Sequence, residues 1–176
     1  VTPARQLLKQ LVSLLGQDLI PRPLELRLLL CRKALLFEAP FPATVVRFGG
    51  IYGPRRTSLV ERVRTGRVLY QADPPRFTNR IHRDDCAGAL RHLMSLPEPE
   101  RLYLGVDSEP AAEADVYRWL AGVLGAPSPR SGAPEPMADP DRSGSKRCRN
   151  DRLLASGYAF QYPTFREGYA AVLAES

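Results

Sequence analysis

The residues best suited to chemistry lie in two short segments about thirty positions apart. The first is the β-branched run at 43–48, which ends in the glycine pair Gly49-Gly50. A buried strand that ends in glycines lets the backbone approach a ligand closely, and open α/β sheets bind ligands at the carboxyl ends of their strands. The second segment holds His82, whose side chain can exchange a proton near neutral pH. The pattern predicts either a ligand site at a sheet edge or a structural turn beside a histidine that orients a helix.

Other reactive side chains are explained without a catalytic role. N-capping of the following helix accounts for the carboxylate pair Asp84 and Asp85, and His92 is expected on a solvated helix face. The cysteines and the two histidines lack the spacing of metal ligands, and no nucleophile elbow or phosphate-binding loop is present. We therefore predict no metal site and no catalytic residue in this chain.

Alternating strands and helices must position these residues. Strands are predicted at 43–48, 68–71, 78–82 and 102–106, and helices at 84–95 and 112–124. Strands separated by helices predict an α/β fold with some parallel pairing. The helix at 84–95 should bury one apolar face formed by Cys86, Ala89, Leu90, Leu93 and Met94.

Capping patterns predict where other helices begin and end. Ser58 with Glu61, and Thr164 with Glu167, each match a capping box, in which two residues three apart satisfy each other's backbone N–H. Gly125 is expected to end the helix at 112–124, and a short helix should follow Asn150.

Composition shifts divide the chain. Residues 1–37 are leucine-rich, with helical segments expected at 4–15 and 24–38, whereas residues 38–176 carry the strands and helices above. Five prolines within 126–145 predict a flexible loop over 126–147.

Composition also restricts the function. The net charge is +6, but the basic residues are spread along the 176-residue chain, which favours solvated charge over nucleic-acid binding. No run of apolar residues is long enough for a membrane helix. Three widely spaced cysteines without an export signal predict a cytoplasmic protein with reduced thiols.

Three groups of residues, in chain order, resemble the later part of the NAD-dependent epimerase/dehydratase family, the extended or atypical short-chain dehydrogenase/reductases. They are Val46-Arg47-Phe48-Gly49-Gly50-Ile51-Tyr52-Gly53-Pro54, then Asn79-Arg80-Ile81-His82-Arg83-Asp84-Asp85, then Leu102-Tyr103 with Val106-Asp107. The resemblance covers roughly 38–176. It implies an α/β chain that forms the second half of a Rossmann-like, doubly wound fold plus the small C-terminal substrate-side region.

The resemblance also implies site residues and a cofactor. Carried over by position, Phe48, Gly49, Gly50 and Ile51 would line the nicotinamide end of an NAD or NADP site. The substrate side would hold Arg76, Arg80 and His82, and the family's histidine at this position is mostly structural.

The chain departs from the family in three ways. The glycine-rich fingerprint that binds the pyrophosphate is absent, and so is the Tyr-x-x-x-Lys pair that transfers a proton. Thr78 stands where the family often has a phosphate-binding arginine, which weakens the case for a nucleotide-sugar substrate.

Three functions remain open, and the sequence does not decide whether the chain is an enzyme. The first is a truncated NAD(P)-dependent epimerase/dehydratase-like protein that is inactive alone because its dinucleotide-binding half is missing. The second is a complete oxidoreductase or epimerase when that half is joined to it, and the third is a non-enzymatic interaction module. We expect no useful NAD or NADP affinity in this chain alone, and either a nucleotide-binding half or a second copy as its partner.

Overall fold

The computed structural model describes residues 43–132 and 145–175. Contacts divide the chain into two compact units, Val1–Val45 and Val46–Ser176. The elements below belong to the second unit, apart from the first residue of the first strand. The helices predicted at 4–15 and 24–38 lie outside the described residues, so they stay predictions.

Thirteen elements are formed within the described residues. The strands are β1 (Val45–Phe48), β2 (Gly50–Tyr52), β3 (Leu69–Tyr70), β4 (Phe77–Thr78), β5 (Arg80–His82), β6 (Leu102–Gly105), β7 (Ala111–Ala112) and β8 (Arg130–Ser131). The helices are α1 (Ser58–Arg64), α2 (Arg83–Ser95), α3 (Glu113–Leu124), α4 (Asp151–Ala155) and α5 (Phe165–Ala174). The strands and helices predicted after residue 42 are therefore confirmed as elements, with boundaries shifted by a few residues.

Parallel pairing positions the candidate edge. β2 pairs parallel with β5, and Tyr52 stands opposite His82 in the register. β1 pairs with β6, β4 pairs antiparallel with β7, and β3 pairs parallel with β8. The predicted α/β fold with parallel pairing is confirmed. The pairing of β8 also places a short strand inside the range predicted as a flexible loop.

Two groups of buried side chains hold these elements together. The larger one joins α1, α3 and α5, with Val63, Val116, Leu120 and Phe165 fully enclosed. The smaller one packs Ala89 and Leu93 of α2 against β6 and α4. Apolar burial of this kind is the main source of stability in a domain of this size.

Two of the predicted helix starts are wrong. Thr57, not Ser58, is the N-cap residue of α1, and it makes no side-chain capping bond; Glu61 instead pairs with Arg64 at 2.5 Å. The N-cap of α2 is His82, so the capping role predicted for Asp84 or Asp85 is incorrect.

Two other predicted helix ends are confirmed. The Thr164 hydroxyl accepts a hydrogen bond from the Glu167 amide at 3.5 Å at the start of α5. Gly125 ends α3 with a φ of 61°, in the left-handed region that favours glycine.

The predicted apolar face of α2 is too wide. Cys86, Ala89 and Leu93 are buried, but Leu90 is 43% exposed and Met94 is 86% exposed. Successive residues turn by about 100° around a helix, so only the narrower stripe at 86, 89 and 93 faces the core. The expected burial of Leu90 and Met94 is therefore wrong.

None of the described helices has the length and apolar character needed to cross a bilayer.

Candidate functional site

At the glycine pair Gly49-Gly50, the backbone changes its hydrogen-bonding partner from the β6 side to the β5 side. The Gly49 N–H donates to Gly105 O at 3.0 Å beside β6, whereas the Gly50 N–H donates to Asn79 O at 2.9 Å beside β5. The bend thus ends β1 and starts β2, the strand whose carboxyl end lies beside that of β5. Because the carboxyl ends of parallel strands share one edge, this is the edge at which a ligand is expected.

The two glycines serve different purposes at this bend. A Cβ on Gly49 would lie 2.9 Å from Asn79 O, a backbone atom, so Gly49 is needed for strand packing. A Cβ on Gly50 would lie 3.4 Å from the same atom, and Gly50 is exposed. Only Gly50 therefore leaves open backbone for a ligand to approach.

The residues on either side of the pair are half-buried. Phe48 packs its ring against Gly105, where a Cβ would overlap it, and Ile51 stands opposite Ile81 in the β2–β5 pair. The four residues predicted for the nicotinamide end are consecutive along this bend. Their contact with a cofactor stays a prediction.

His82 is a structural residue in this arrangement. Its side chain is 2% exposed, and its Nδ1 accepts a hydrogen bond from the Asp84 N–H at 3.2 Å, which caps α2. The ring also contacts Tyr52 and Tyr162, with centroid distances of 5.4 Å and 4.2 Å. Burial lowers the pKa of His82, while the nearby Asp84 carboxylate opposes that shift. A neutral ring that accepts a hydrogen bond fits the capping role.

The two arginines predicted for the substrate side are engaged within the protein. Arg80 is 6% exposed; its guanidinium donates to the Thr78 hydroxyl and lies 5.3 Å from the Phe165 ring centre. Arg76 forms an ion pair with the buried Glu113 at 3.5 Å. These contacts do not favour direct substrate binding, so the substrate-side role of both arginines stays a prediction.

Asp85 has a structural role that the sequence interpretation missed. It is fully buried, and its carboxylate accepts hydrogen bonds from the Tyr158 hydroxyl at 2.8 Å, the Gln161 N–H at 2.8 Å and the Tyr162 N–H at 3.0 Å. It therefore fastens the 158–162 segment to α2. The only local signal is an acidic residue in the first turn of a helix, which looks the same when it merely caps the helix.

Asp107 is a second buried acid; it belongs to the third group of family-like residues, but the sequence analysis assigned it no role. It follows the carboxyl end of β6, and one carboxylate oxygen accepts from the Glu109 N–H at 3.2 Å. Burial raises the pKa of Asp107 to about 7, although the positive charge of Arg80 opposes the shift. Burial also raises the pKa of Tyr52, and that of Tyr169 to about 12. A polar core therefore lies beneath the candidate edge.

One surface cleft of the described residues lies elsewhere. It has a volume of about 430 Å³ and is lined by residues of α2 and of the 157–159 segment, among them Arg91, His92 and Tyr158. His92 is half-buried there and its Nε2 lies 3.0 Å from Ser156 O, so its predicted solvation is wrong. The cleft contains none of the predicted site residues, and the strand edge therefore remains the candidate site.

Gly50 offers open backbone at the strand edge. Within the described residues, none of the helices is preceded by the full three-glycine fingerprint that holds a pyrophosphate. The same residues contain no group of three or more His, Cys, Asp or Glu side chains able to hold a metal ion.

Known proteins with similar structures share one fold. A Methylobacillus flagellatus protein described as an NAD-dependent epimerase/dehydratase is 38% identical, with a TM-score of 0.71 over 90% of this chain and 56% of that chain. A conserved Silicibacter pomeroyi protein of unknown function is 30% identical, with a TM-score of 0.76 over 92% of this chain and 59% of that chain. The human epimerase family protein SDR39U1, solved with NADPH, is 20% identical, with a TM-score of 0.66 over 85% of this chain and 55% of that chain.

The chain thus spans less than two thirds of each of these structures. No family model and no curated protein matches it.

Proposed function

We propose that this chain, which has the fold of the NAD-dependent epimerase/dehydratase proteins, supplies the substrate-side part of an NAD(P)-dependent oxidoreductase or epimerase. In this proposal the chain needs a dinucleotide-binding half, joined to it or carried by another chain, before it can act. The family resemblance and the Rossmann-like α/β fold implied by the sequence are confirmed by the structural neighbours. The cofactor, the activity and the missing half are our proposals.

One observation carries the proposal. The chain is 38% identical to a protein described as an NAD-dependent epimerase/dehydratase, yet it covers only 56% of that protein. The part that it does cover includes a strand edge with open backbone at Gly50. This combination is expected of a chain that contributes one wall of a cofactor site while the phosphate-binding wall lies in the uncovered part.

In such a site, the residues of this chain would form one wall and support it from inside. Phe48, Gly49, Gly50 and Ile51 would hold the nicotinamide end, with Gly50 allowing close approach and its neighbours fixing the bend. A bound NAD or NADP supplies hydride transfer. Arg80, His82 and Asp107 support the edge from inside, because their side chains are buried.

Binding measurements on two forms of the protein test the proposal. The first form is this chain alone, and the second is this chain fused to the remaining part of the Methylobacillus flagellatus protein. Isothermal titration with NAD, NADP and NADPH should show no binding to the chain alone. The fusion should bind one of them with a micromolar dissociation constant, which corresponds to about −8 kcal/mol.

Two matched glycine variants of the fusion locate the site. Gly50→Val adds a side chain at the exposed edge and should weaken binding at least tenfold by our estimate, without unfolding the protein, because valine suits a strand. Gly122→Ala, on an open face of α3 where a Cβ meets nothing within 4 Å, should leave binding unchanged. Micromolar binding by the chain alone would contradict the need for a second half. A fusion that folds but binds none of the nucleotides would favour the interaction-module alternative.

A further inference from the structure

The surface cleft beside α2 has the size and the lining of a ligand site. Its volume of about 430 Å³ falls within the range of roughly 300–1,000 Å³ that is usual for small-molecule sites. Three of its seven lining residues, Gly88, Gly157 and Ala159, have no side chain beyond a Cβ. Small residues at these positions leave room between α2 and the 157–159 segment.

Two rings that line the cleft are fixed by hydrogen bonds. The Tyr158 hydroxyl donates to Oδ1 of Asp85 at 2.8 Å. Nε2 of His92 lies 3.0 Å from Ser156 O, and a carbonyl oxygen only accepts, so Nε2 carries a hydrogen and donates it. Gly88 permits this packing, because a Cβ there would lie 2.6 Å from the Tyr158 hydroxyl oxygen. A ligand therefore meets walls that are already ordered, which lowers the entropic cost of binding.

Arg91 brings an unpaired positive charge to the cleft. It is exposed, and within the described part of the chain its guanidinium makes no ion pair and no side-chain hydrogen bond. Arg83 on the same helix, by contrast, pairs with Asp84 at 3.0 Å. Burial raises the pKa of Tyr158 and the charge of Arg91 opposes that shift, which agrees with a guanidinium close to the ring.

The charges around the cleft favour an anion. No acidic side chain is among the lining residues. The carboxylate of Asp85, behind Tyr158, is fully buried and accepts from the Tyr158 hydroxyl and from the N–H groups of Gln161 and Tyr162. Its charge is therefore already satisfied by three donors.

The available donors favour a carboxylate over a phosphate. A guanidinium offers two parallel N–H groups that match the two oxygens of one carboxylate. A doubly charged phosphate needs further donors, and those of the neighbouring side chains are in use. Nε2 of His92 donates to Ser156 O, and the Ser95 hydroxyl donates to His92 O at 2.7 Å.

We propose that this cleft binds a small planar carboxylic acid, whose carboxylate pairs with Arg91 and whose ring lies on the Tyr158 side. Aromatic rings pack favourably against one another, so the fixed tyrosine suits a flat ligand body. The cleft shares no lining residue with the glycine bend at 49–50. The inference therefore does not depend on the proposed function.

Titration calorimetry of the full chain with benzoate, phenylacetate and indole-3-acetate tests the proposal. At least one of these acids should bind saturably with one site per chain. Its uncharged amide should bind about tenfold more weakly or not at all, because it cannot form the charge-assisted pair. Inorganic phosphate should not compete. Failure of all three acids to saturate, equal binding of acid and amide, or competition by phosphate would each overturn the proposal.

Two variants locate the site, and both change exposed residues, so folding should be preserved. Arg91→Gln removes the charge and should weaken binding of the acid about tenfold. Ala159→Leu keeps Arg91 but fills the cleft, and should abolish binding. Unchanged affinity in either variant would overturn the proposal.

The matched control is Arg62→Gln, which removes an exposed arginine from α1 and should leave the affinity unchanged. An equal loss in Arg62→Gln and Arg91→Gln would indicate attraction by the net charge alone and would also overturn the proposal. Urea melts of the three variants check that each one folds.

Discussion

At the scale of single residues, the most consequential feature is the buried carboxyl group of Asp107. Its carboxyl group is almost fully buried, and its pKa rises from 3.8 to about 7 because the charged form loses its hydration. The positive charge of Arg80 and the hydrogen bond from the Glu109 N–H favour the charged form, while the negative charges of Glu109 and Asp85 disfavour it. A raised pKa in the folded state means that the folded protein binds this proton more tightly than the unfolded chain does.

This residue makes stability depend on pH. The stabilising effect of the bound proton is complete below the unfolded pKa of 3.8 and is lost as the pH rises through about 7. Between pH 5 and pH 8, we predict that the wild type loses about 2 kcal/mol of unfolding free energy relative to Asp107→Asn. The asparagine keeps the acceptor for the Glu109 N–H but carries no charge. Urea melts of both proteins at the two pH values measure the difference.

The control for this prediction is Asp115→Asn, since the Asp115 side chain is 58% exposed. If Asp107→Asn and Asp115→Asn changed the unfolding free energy by the same amount between the two pH values, the raised pKa of Asp107 would be refuted.

At the scale of elements, α2 connects the site to the core. Its N-terminus is capped by His82, its buried stripe holds Leu93, and Asp85 binds the 158–162 segment. Because Leu90 is exposed, only the narrow stripe of α2 that contains Leu93 packs against the rest of the protein.

Substitution on the two faces of α2 should have very different effects. Leu93→Asp places an unpaired charge in the core, and we predict a loss of about 3 kcal/mol or more. Leu90→Asp makes the same change on the exposed face and should cost less than about 1 kcal/mol. Denaturant melts of both variants under the same conditions provide the comparison. Equal losses would show that the observed facing of α2 is wrong.

At the scale of the whole molecule, the described sheets are small. Each has two strands, and among the described residues β1 pairs with β6 alone. Met94 and Leu90 add exposed apolar surface on α2. Open strand edges and apolar patches recruit other chains, so we propose that the isolated protein associates with itself or with a nucleotide-binding half.

Light scattering measures this association. At micromolar concentration, the chain alone should form dimers or larger species or melt without a sharp transition, whereas the fusion with the remaining part of the Methylobacillus flagellatus protein should be monodisperse. A monodisperse monomer of 19.6 kDa with a cooperative melt would contradict the proposal. It would show that the chain completes its own core.

The sequence by itself determined the longer elements and their order, but not the short strands β2, β7 and β8. The apolar spacing at 86, 89 and 93, the glycine after α3 and the capping box of Thr164 are local patterns, and local backbone and side-chain preferences decide such features. The motifs at 46–54 and 79–85 also indicated the fold, because they occur in the same order and at a similar spacing as in the family that the chain resembles. They likewise indicated the glycine bend of the candidate site, although the ligand remains a proposal.

Only the tertiary structure decided what the polar side chains do. Asp85 accepts hydrogen bonds from groups 73 to 77 positions away, and Asp107 lies beside Arg80 because β5 and the end of β6 are adjacent in space. A local pattern cannot distinguish a capping acid from a buried one, because the difference lies in partners that are distant in the chain. Burial is likewise set by which elements pack together, and this is why Leu90 and His92 were misplaced. The desolvation that shifts a pKa exists only once those elements enclose the group.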